Sequence, residues 1–169
     1  MAKGDKDAQF LKNYQNYKNK ILNYFWYRVN FDRDLAEDLT SEIFLKAYDK
    51  YNQYDPSRPF QSWIFAIAHN HLVNFYRSSN RTIPLDEAIE IIKADDVSLE
   101  DQFDIKRIIN EIANLPDYQK EILTLRYINE LSHGEIAEIM ERDETTIRVA
   151  IHRALKMIKD KITPPGGTE

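Results

Sequence analysis

The chain has 169 residues, with 23 Lys+Arg against 28 Asp+Glu, a formal net charge of −5, and no cysteine. At 43% apolar and 12% aromatic it can build a core of one ordinary domain or two small ones, which excludes a chain disordered throughout. The missing cysteines exclude a disulfide scaffold, a thiol nucleophile and a thiolate metal site, and fit a reducing cytoplasm.

The polar, tyrosine-rich stretch from Met1 to Asn30 has no apolar run of the signal-peptide kind. No run anywhere approaches the roughly 18–20 apolar residues of a membrane span. From Ala8 to Val29, Phe10, Tyr14, Tyr17, Ile21 and Tyr24 or Phe25 recur at helical spacing and predict a first helix, with Asp5 or Asp7 near its start. A second helix is expected from Asp34 to Tyr51, with Leu35, Leu39, Ile43, Ala47 and Tyr51 on one face. The segment Tyr54-Asp55-Pro56-Ser57-Arg58-Pro59 breaks it, because two prolines disfavour continued helix. Pro59 suits a first helical turn, and a third helix carries Phe60, Trp63, Ile64, Ile67, Ala68, Leu72, Phe75 and Tyr76 to about Arg77.

Residues 80–97 read as an acidic linker whose 18 residues reach about 60 Å at ~3.4 Å each. Ser98-Leu99-Glu100-Asp101 reads as a helix start, and Pro116 opens a further helix to about Ile128 with Tyr118, Ile122 and Leu125 inward. Ser132-His133-Gly134-Glu135 is a capping box before a short helix with Ile136, Ala137, Ile139 and Met140 as its core face. Glu141-Arg142 turns the chain. Asp143 then caps a last helix bearing Ile147, Ala150, Ile151, Ala154, Leu155 and Ile158. The tail, 163–169, is rich in Pro and Gly and predicts a loose end. The predicted fold class is all-α: two small helical domains, 1–79 and 98–162, joined by the linker.

The charge is unevenly placed. Residues 1–80 carry 11 basic and 9 acidic groups, 81–115 carry 4 and 9, and 116–169 carry 8 and 10. Within the acidic total, the stretch Thr145 to Lys161 holds Arg148, Arg153, Lys156, Lys159 and Lys161 against Asp160 alone. A local basic face is what a polyanion meets.

A short helix, a tight turn and a longer basic helix have the layout of a helix-turn-helix, whose second helix enters the major groove. Thr145, Thr146, Arg148 and His152 fall off its apolar face, where hydroxyls and a guanidinium reach phosphates and base edges. An ordinary helical hairpin with a solvated basic face has the same pattern, so the motif alone leaves both readings open. On the third helix, Trp63, Ile64 and Ile67 read as core, while Asn70, Asn74 and Arg77 at the helix end suit contacts with unpaired bases. An enzyme reading has little support. His69 and His71 are two apart and point in different directions on a helix, and no phosphate-cradling Gly loop or nucleophile motif is present.

Taken together, these segments resemble the bacterial RNA polymerase sigma factors of the compact extracytoplasmic-function (ECF) group. The run from Asp34 to Tyr48 resembles their core-binding helix. Trp63-Ile64, Ile67-Ala68-His69-Asn70, Asn74 and Arg77 resemble their promoter-melting helix. Leu115-Pro116, Glu121-Ile122-Leu123, Leu125-Arg126-Tyr127, Thr146-Ile147-Arg148 and His152-Arg153-Ala154 resemble their C-terminal domain. The resemblance implies a non-enzymatic factor, needing no cofactor and no metal, which docks on core RNA polymerase in the cytoplasm and directs it to promoter DNA. It places Asp38, Leu39, Glu42, Ile43 and Phe44 at the polymerase contact, the polar ones on its surface and some apolar ones in the core. It places Asn70, Asn74 and Arg77 at the −10 element, where a base is captured from the opened strand. It places Thr145, Thr146, Arg148, His152 and Arg153 at the −35 duplex. The free protein is expected to be a monomer without membrane insertion. An anti-sigma protein, common in the group, would cover the polymerase-binding face and the DNA-binding helix.

The chain departs from the family pattern at four places. A common Gln is Ser41, and a common Asp is Asn74. The usual Gly of the helix-turn-helix turn is Glu141, which argues against a left-handed residue there. A frequent Ser-Arg pair in the recognition helix is Val149-Ala150, removing a polar contact of about 1–3 kcal/mol. Weak DNA affinity from the isolated chain follows. A sigma-shaped regulator without transcription and a stand-alone repressor are the competing readings; the aromatic helix and the linker count against the repressor.

Overall fold

The structure is a computed structural model and describes residues 3–79, 107, 108 and 110–163. The linker at 80–97, the helix start at Ser98 and the tail from 164 lie outside these residues. Helix α1 spans Lys3–Arg28. It begins earlier than its apolar periodicity because its first turn is polar, with Asp5 favourably placed at the positive end of the helix dipole. The chain leaves α1 through Asn30 and Phe31, both left-handed (φ 52° and 65°). Left-handed backbone costs a residue with a β-carbon about 1–2 kcal/mol. Burial of the Phe31 ring offsets that cost: it packs edge-on to Trp26 at 5.2 Å, and the Trp26 indole Nε1 donates to its carbonyl at 2.8 Å.

Helix α2, Arg33–Lys50, is capped by Asp32, whose carboxylate accepts from the Leu35 amide at 3.0 Å. It buries Ala36, Leu39, Thr40, Ile43, Phe44 and Ala47, a wider stripe than the expected i, i+4 row. A 3-10 turn, Tyr51–Gln53, leads to the proline break, where Asp55 accepts from the Ser57 amide at 2.9 Å. Helix α3, Phe60–Ser79, buries Phe60, Ser62, Ile64, Phe65, Ala68 and Leu72. Trp63 is half-buried in an aromatic cluster with Tyr51, Tyr54 and Phe60. The three helices form the N-terminal half, and Tyr24, Phe25, Phe65 and Ile64 are fully buried at its centre.

The C-terminal half holds helix α4, Asp117–Leu123, helix α5, His133–Met140, and helix α6, Glu144–Ile162. The single helix expected from Pro116 to Ile128 changes at Thr124–Ile128 into a π-turn. There the Asn129 amide reaches back to the Thr124 carbonyl at 3.0 Å and the Leu131 amide to that of Leu125 at 3.0 Å. The widened turn keeps Leu125 and Leu131 fully buried while Tyr127 and Ile128 face solvent.

The halves pack against each other: α3 lies on α5, and α1 on α4 and the π-turn. The contact is rich in polar groups. Asn129 Nδ2 donates to the Lys20 carbonyl at 2.9 Å, Lys120 Nζ donates to Asn30 Oδ1 at 3.1 Å, and Gln61 Nε2 donates to Glu135 Oε1 at 3.2 Å. Arg58 pairs with Glu138.

Candidate polymerase and DNA interfaces

Asp38 and Glu42 project from the solvent face of α2, beside exposed Asp34, Glu37, Ser41 and Leu45. Leu39, Ile43 and Phe44, placed by the resemblance in the polymerase-contact helix with some of them in the core, all lie in the core at 2%, 0% and 5% exposure. They hold the helix rather than its outer surface, because they continue the stripe of Ala36 and Ala47. Glu42 is braced from α3: Lys46 Nζ donates to His71 Nδ1 at 2.7 Å, and His71 Nε2 donates to Glu42 Oε2 at 2.7 Å. Periodicity missed Leu45, which is 69% exposed on this acidic face. Its signal was an apolar residue lying off the buried stripe.

Asn70, Asn74 and Arg77 are exposed along one side of α3 at i, i+4 and i+7. The structure brings the three together as expected. Phe75 and Tyr76 between them are half-buried, and the Tyr76 hydroxyl donates to the Arg28 carbonyl. Their rings serve packing, and the polar row is the accessible surface.

The helix-turn-helix is built by caps. Ser132 and Glu135 make both arms of the capping box: Glu135 N–H to Ser132 Oγ at 3.2 Å, and Ser132 N–H to Glu135 Oε2 at 2.8 Å. Glu141 is left-handed, with φ 53° and ψ 45°, which corrects the expectation drawn from its side chain. The Arg142 amide reaches the Ala137 carbonyl at 2.9 Å, closing the helix end and setting the turn. That geometry, not the side chain, fixes the conformation.

Asp143 caps α6. Its carboxylate accepts from the Thr146 amide at 2.8 Å and the Thr146 hydroxyl at 2.6 Å. These bonds hold the Asp143 carboxyl below the ordinary carboxylate range. Thr145, Thr146, Arg148, His152 and Arg153 are all exposed. Arg148 NH2 pairs with Glu144 Oε1 at 2.5 Å, which leaves its Nε and NH1 donors outside that pair. Tyr118 and Gln119 of α4 join Thr145, Thr146, Val149, Ala150 and Arg153 around a shallow cleft.

The pairing of Glu121 with the N-terminal half has no counterpart in the local sequence pattern. Glu121 is a buried carboxylate between the halves. Its Oε1 accepts from the Tyr24 hydroxyl at 2.5 Å and lies 2.6 Å from His69 Nδ1, while Arg28 stands 3.9 Å from Oε2. Burial pushes the carboxyl up, but the His69 hydrogen bond, the Arg28 and His69 charges and the Tyr24 hydrogen bond outweigh it and hold it below its ordinary value. Burial, reinforced by Arg28 and opposed by Asp117, lowers Lys120 to about 8. These partners lie tens of residues apart, so no local pattern announces them.

An all-helical pair of halves, the first with an exposed acidic helix and a polar helix end, the second a capped helix-turn-helix, has the layout expected of a sigma-type transcription factor. Residues 14–82 match the family "Sigma-70 region 2" and residues 105–158 match "Sigma-70, region 4". The chain is 32% identical over 149 residues to the ECF RNA polymerase sigma factor SigM of Bacillus subtilis, covering 86% of this chain and 90% of the relative. It is 31% identical over 175 residues to SigW of the same organism, covering 96% and 92%. The fold matches that of CnrH in complex with the cytosolic domain of CnrY (TM-score 0.68, 18% identity, 91% of this chain and 87% of that one). It also matches the sigma factor RpoE in complex with the anti-sigma factor NepR from Bartonella quintana (TM-score 0.72, 17% identity, 91% and 96%). The chain belongs to the ECF RNA polymerase sigma factors. Such a factor is not itself an enzyme; it directs RNA polymerase to promoters. Among the described residues no helix is long and apolar enough to cross a membrane.

Proposed function

We propose a division of labour between the two halves. Asp38 and Glu42, on the exposed face of α2, meet core RNA polymerase, and the buried Leu39, Ile43 and Phe44 shape the helix that carries them. Asn70, Asn74 and Arg77 engage the opened strand of the −10 element. Thr145, Thr146, Arg148, His152 and Arg153 meet the −35 duplex. The observation that carries this reading is the capped and left-handed geometry of the helix-turn-helix, which leaves the basic side of α6 exposed. The acidic face of α2 and the polar end of α3 support it from the other half.

In this reading the polymerase works in the cytoplasm, and an anti-sigma protein is a further partner, covering the outer face of α2 and the basic side of α6. Two solved structures with the same fold are complexes with partner proteins, one of them named an anti-sigma factor.

Runoff transcription tests the reading. Core polymerase is given a pool of genomic fragments with and without the chain. Discrete transcripts that depend on the chain are expected. Core binding without any transcript would favour a regulator that has kept the sigma shape, and neither binding nor transcript would overturn the proposal.

A further inference from the structure

Helix α6 is held to its half by Ile147, Ile151 and Ala154, all buried. At about 100° per residue, Val149 lies about 200° around the helix from Ile147, on the side turned away from the core. It is 44% exposed. Exposed Thr145 and Arg153 flank it one turn to either side, and exposed His152 and Lys156 follow on the same face. A single exposed valine is ordinary on a protein surface. This one stands within the first two turns of the second helix of a helix-turn-helix, the part that meets base edges. In the major groove, four polar base-edge patterns are accompanied by one apolar group, the 5-methyl of thymine. The surrounding Arg148, His152, Arg153 and Lys156 favour a polyanion over an apolar protein surface. Beside Val149, the small Ala150 leaves open the cleft toward Tyr118, whose volume is about 360 Å³.

We propose that Val149 is a specificity-determining residue that packs on the 5-methyl group of a thymine in the upstream duplex element. This rests on the reading of α6 as the helix that meets the −35 duplex.

The test uses holoenzyme reconstituted from the full chain and core polymerase on a promoter found by runoff transcription. Each thymine of the upstream element is replaced in turn by deoxyuridine, which removes only the methyl group. At one position the substitution is expected to weaken binding about fourfold, the worth of about 0.8 kcal/mol for one buried methyl-sized group. Val149→Ala should lose about the same factor on the thymine promoter and nothing further on the deoxyuridine promoter. Alanine is the best helix former, so the variant keeps the helix, and an unchanged thermal melt checks this. Arg148→Ala separates the Val149 contact from duplex binding by α6 as a whole. If it abolishes upstream binding while no deoxyuridine position matters, the promoter reading stands and the Val149 proposal falls. An equal deoxyuridine effect in the native chain and in Val149→Ala also overturns the proposal, because another group then reads the methyl. If the holoenzyme binds no fragment specifically, the promoter reading itself falls and takes the proposal with it.

Discussion

His69 Nδ1 lies 2.6 Å from Glu121 Oε1, joining α3 of the N-terminal half to α4 of the C-terminal half. The same oxygen accepts from Tyr24, and Arg28 stands over the other. Removing one member of a buried charged set costs about 3–5 kcal/mol, since it strands the rest. Parting the halves restores water to those groups. If the halves meet two promoter elements as proposed, set turns of DNA apart at about 34 Å per turn, they must part. Glu121→Gln is therefore expected to increase the radius of gyration in solution scattering and to tighten binding to core polymerase. An unchanged radius with unchanged affinity would contradict this.

The interface has a defined acid limit. The Glu121 carboxyl is held below its ordinary value of 4.5 in the folded chain. Its contribution is complete above that ordinary value and is lost as pH falls through the lower folded one. The scattering radius should stay constant from pH 7 to 5 and rise only under more acidic conditions. Expansion already complete at pH 5 would show that Glu121 is not the controlling group.

Lys120 acts in the opposite sense. Held at about 8 against 10.5, it makes folding costly at neutral pH, where the buried ammonium is charged, and the cost disappears as pH rises through 8 toward 10.5. Lys120→Met removes the charge and keeps much of the volume, and is expected to stabilise the chain by about 1–2 kcal/mol at pH 7. Thermal melts read this as a rise of about 2–4 °C per kcal/mol. The gain should shrink at pH 9.5; an equal gain at both values would exclude the charge as its cause.

Glu141 pays for a left-handed backbone that glycine adopts freely. Glu141→Gly is expected to stabilise the chain by about 1 kcal/mol without moving Arg142 from the Ala137 carbonyl. A loss of stability in the thermal melt would mean that the exposed Glu141 side chain contributes more than the turn costs.

Much of this was legible in the sequence. The apolar rows of α2 and α3 continue through Leu39, Ile43, Ile64 and Leu72, and the caps at Ser132 and Asp143 stand where the residue chemistry put them. Local preference failed where tertiary contacts decide. Phe31 turns left-handed because its ring gains burial, and Glu141 because the helix end needs that geometry. The π-turn at Thr124–Ile128 serves Leu125 and Leu131, whose burial no helical period predicts. The exposed polar rows of α3 and α6 were readable as polar residues off an apolar face. The Glu121 cluster was not, because it pairs residues from three distant helices.

Arg148 is paired with Glu144 in the free chain, 2.5 Å apart. Arg148→Ala should weaken holoenzyme binding to the upstream duplex and lower the salt dependence by about one counterion. Glu144→Ala frees the guanidinium and removes a like charge from the phosphates, so it should strengthen binding. A weaker complex with Glu144→Ala would show that the ion pair orients Arg148 for DNA rather than competing with it.

The most direct measurement is a footprint of the holoenzyme on a promoter found by runoff, probing unpaired thymines and protected duplex in one experiment. One complex is expected, with reactive thymines at the downstream element and protection at the upstream duplex. Asn70→Ala should lower the reactivity and leave the protection, and Arg148→Ala should weaken the protection and leave the reactivity. A complex of chain and core polymerase that shows neither signal on any promoter would overturn the division of labour between the halves.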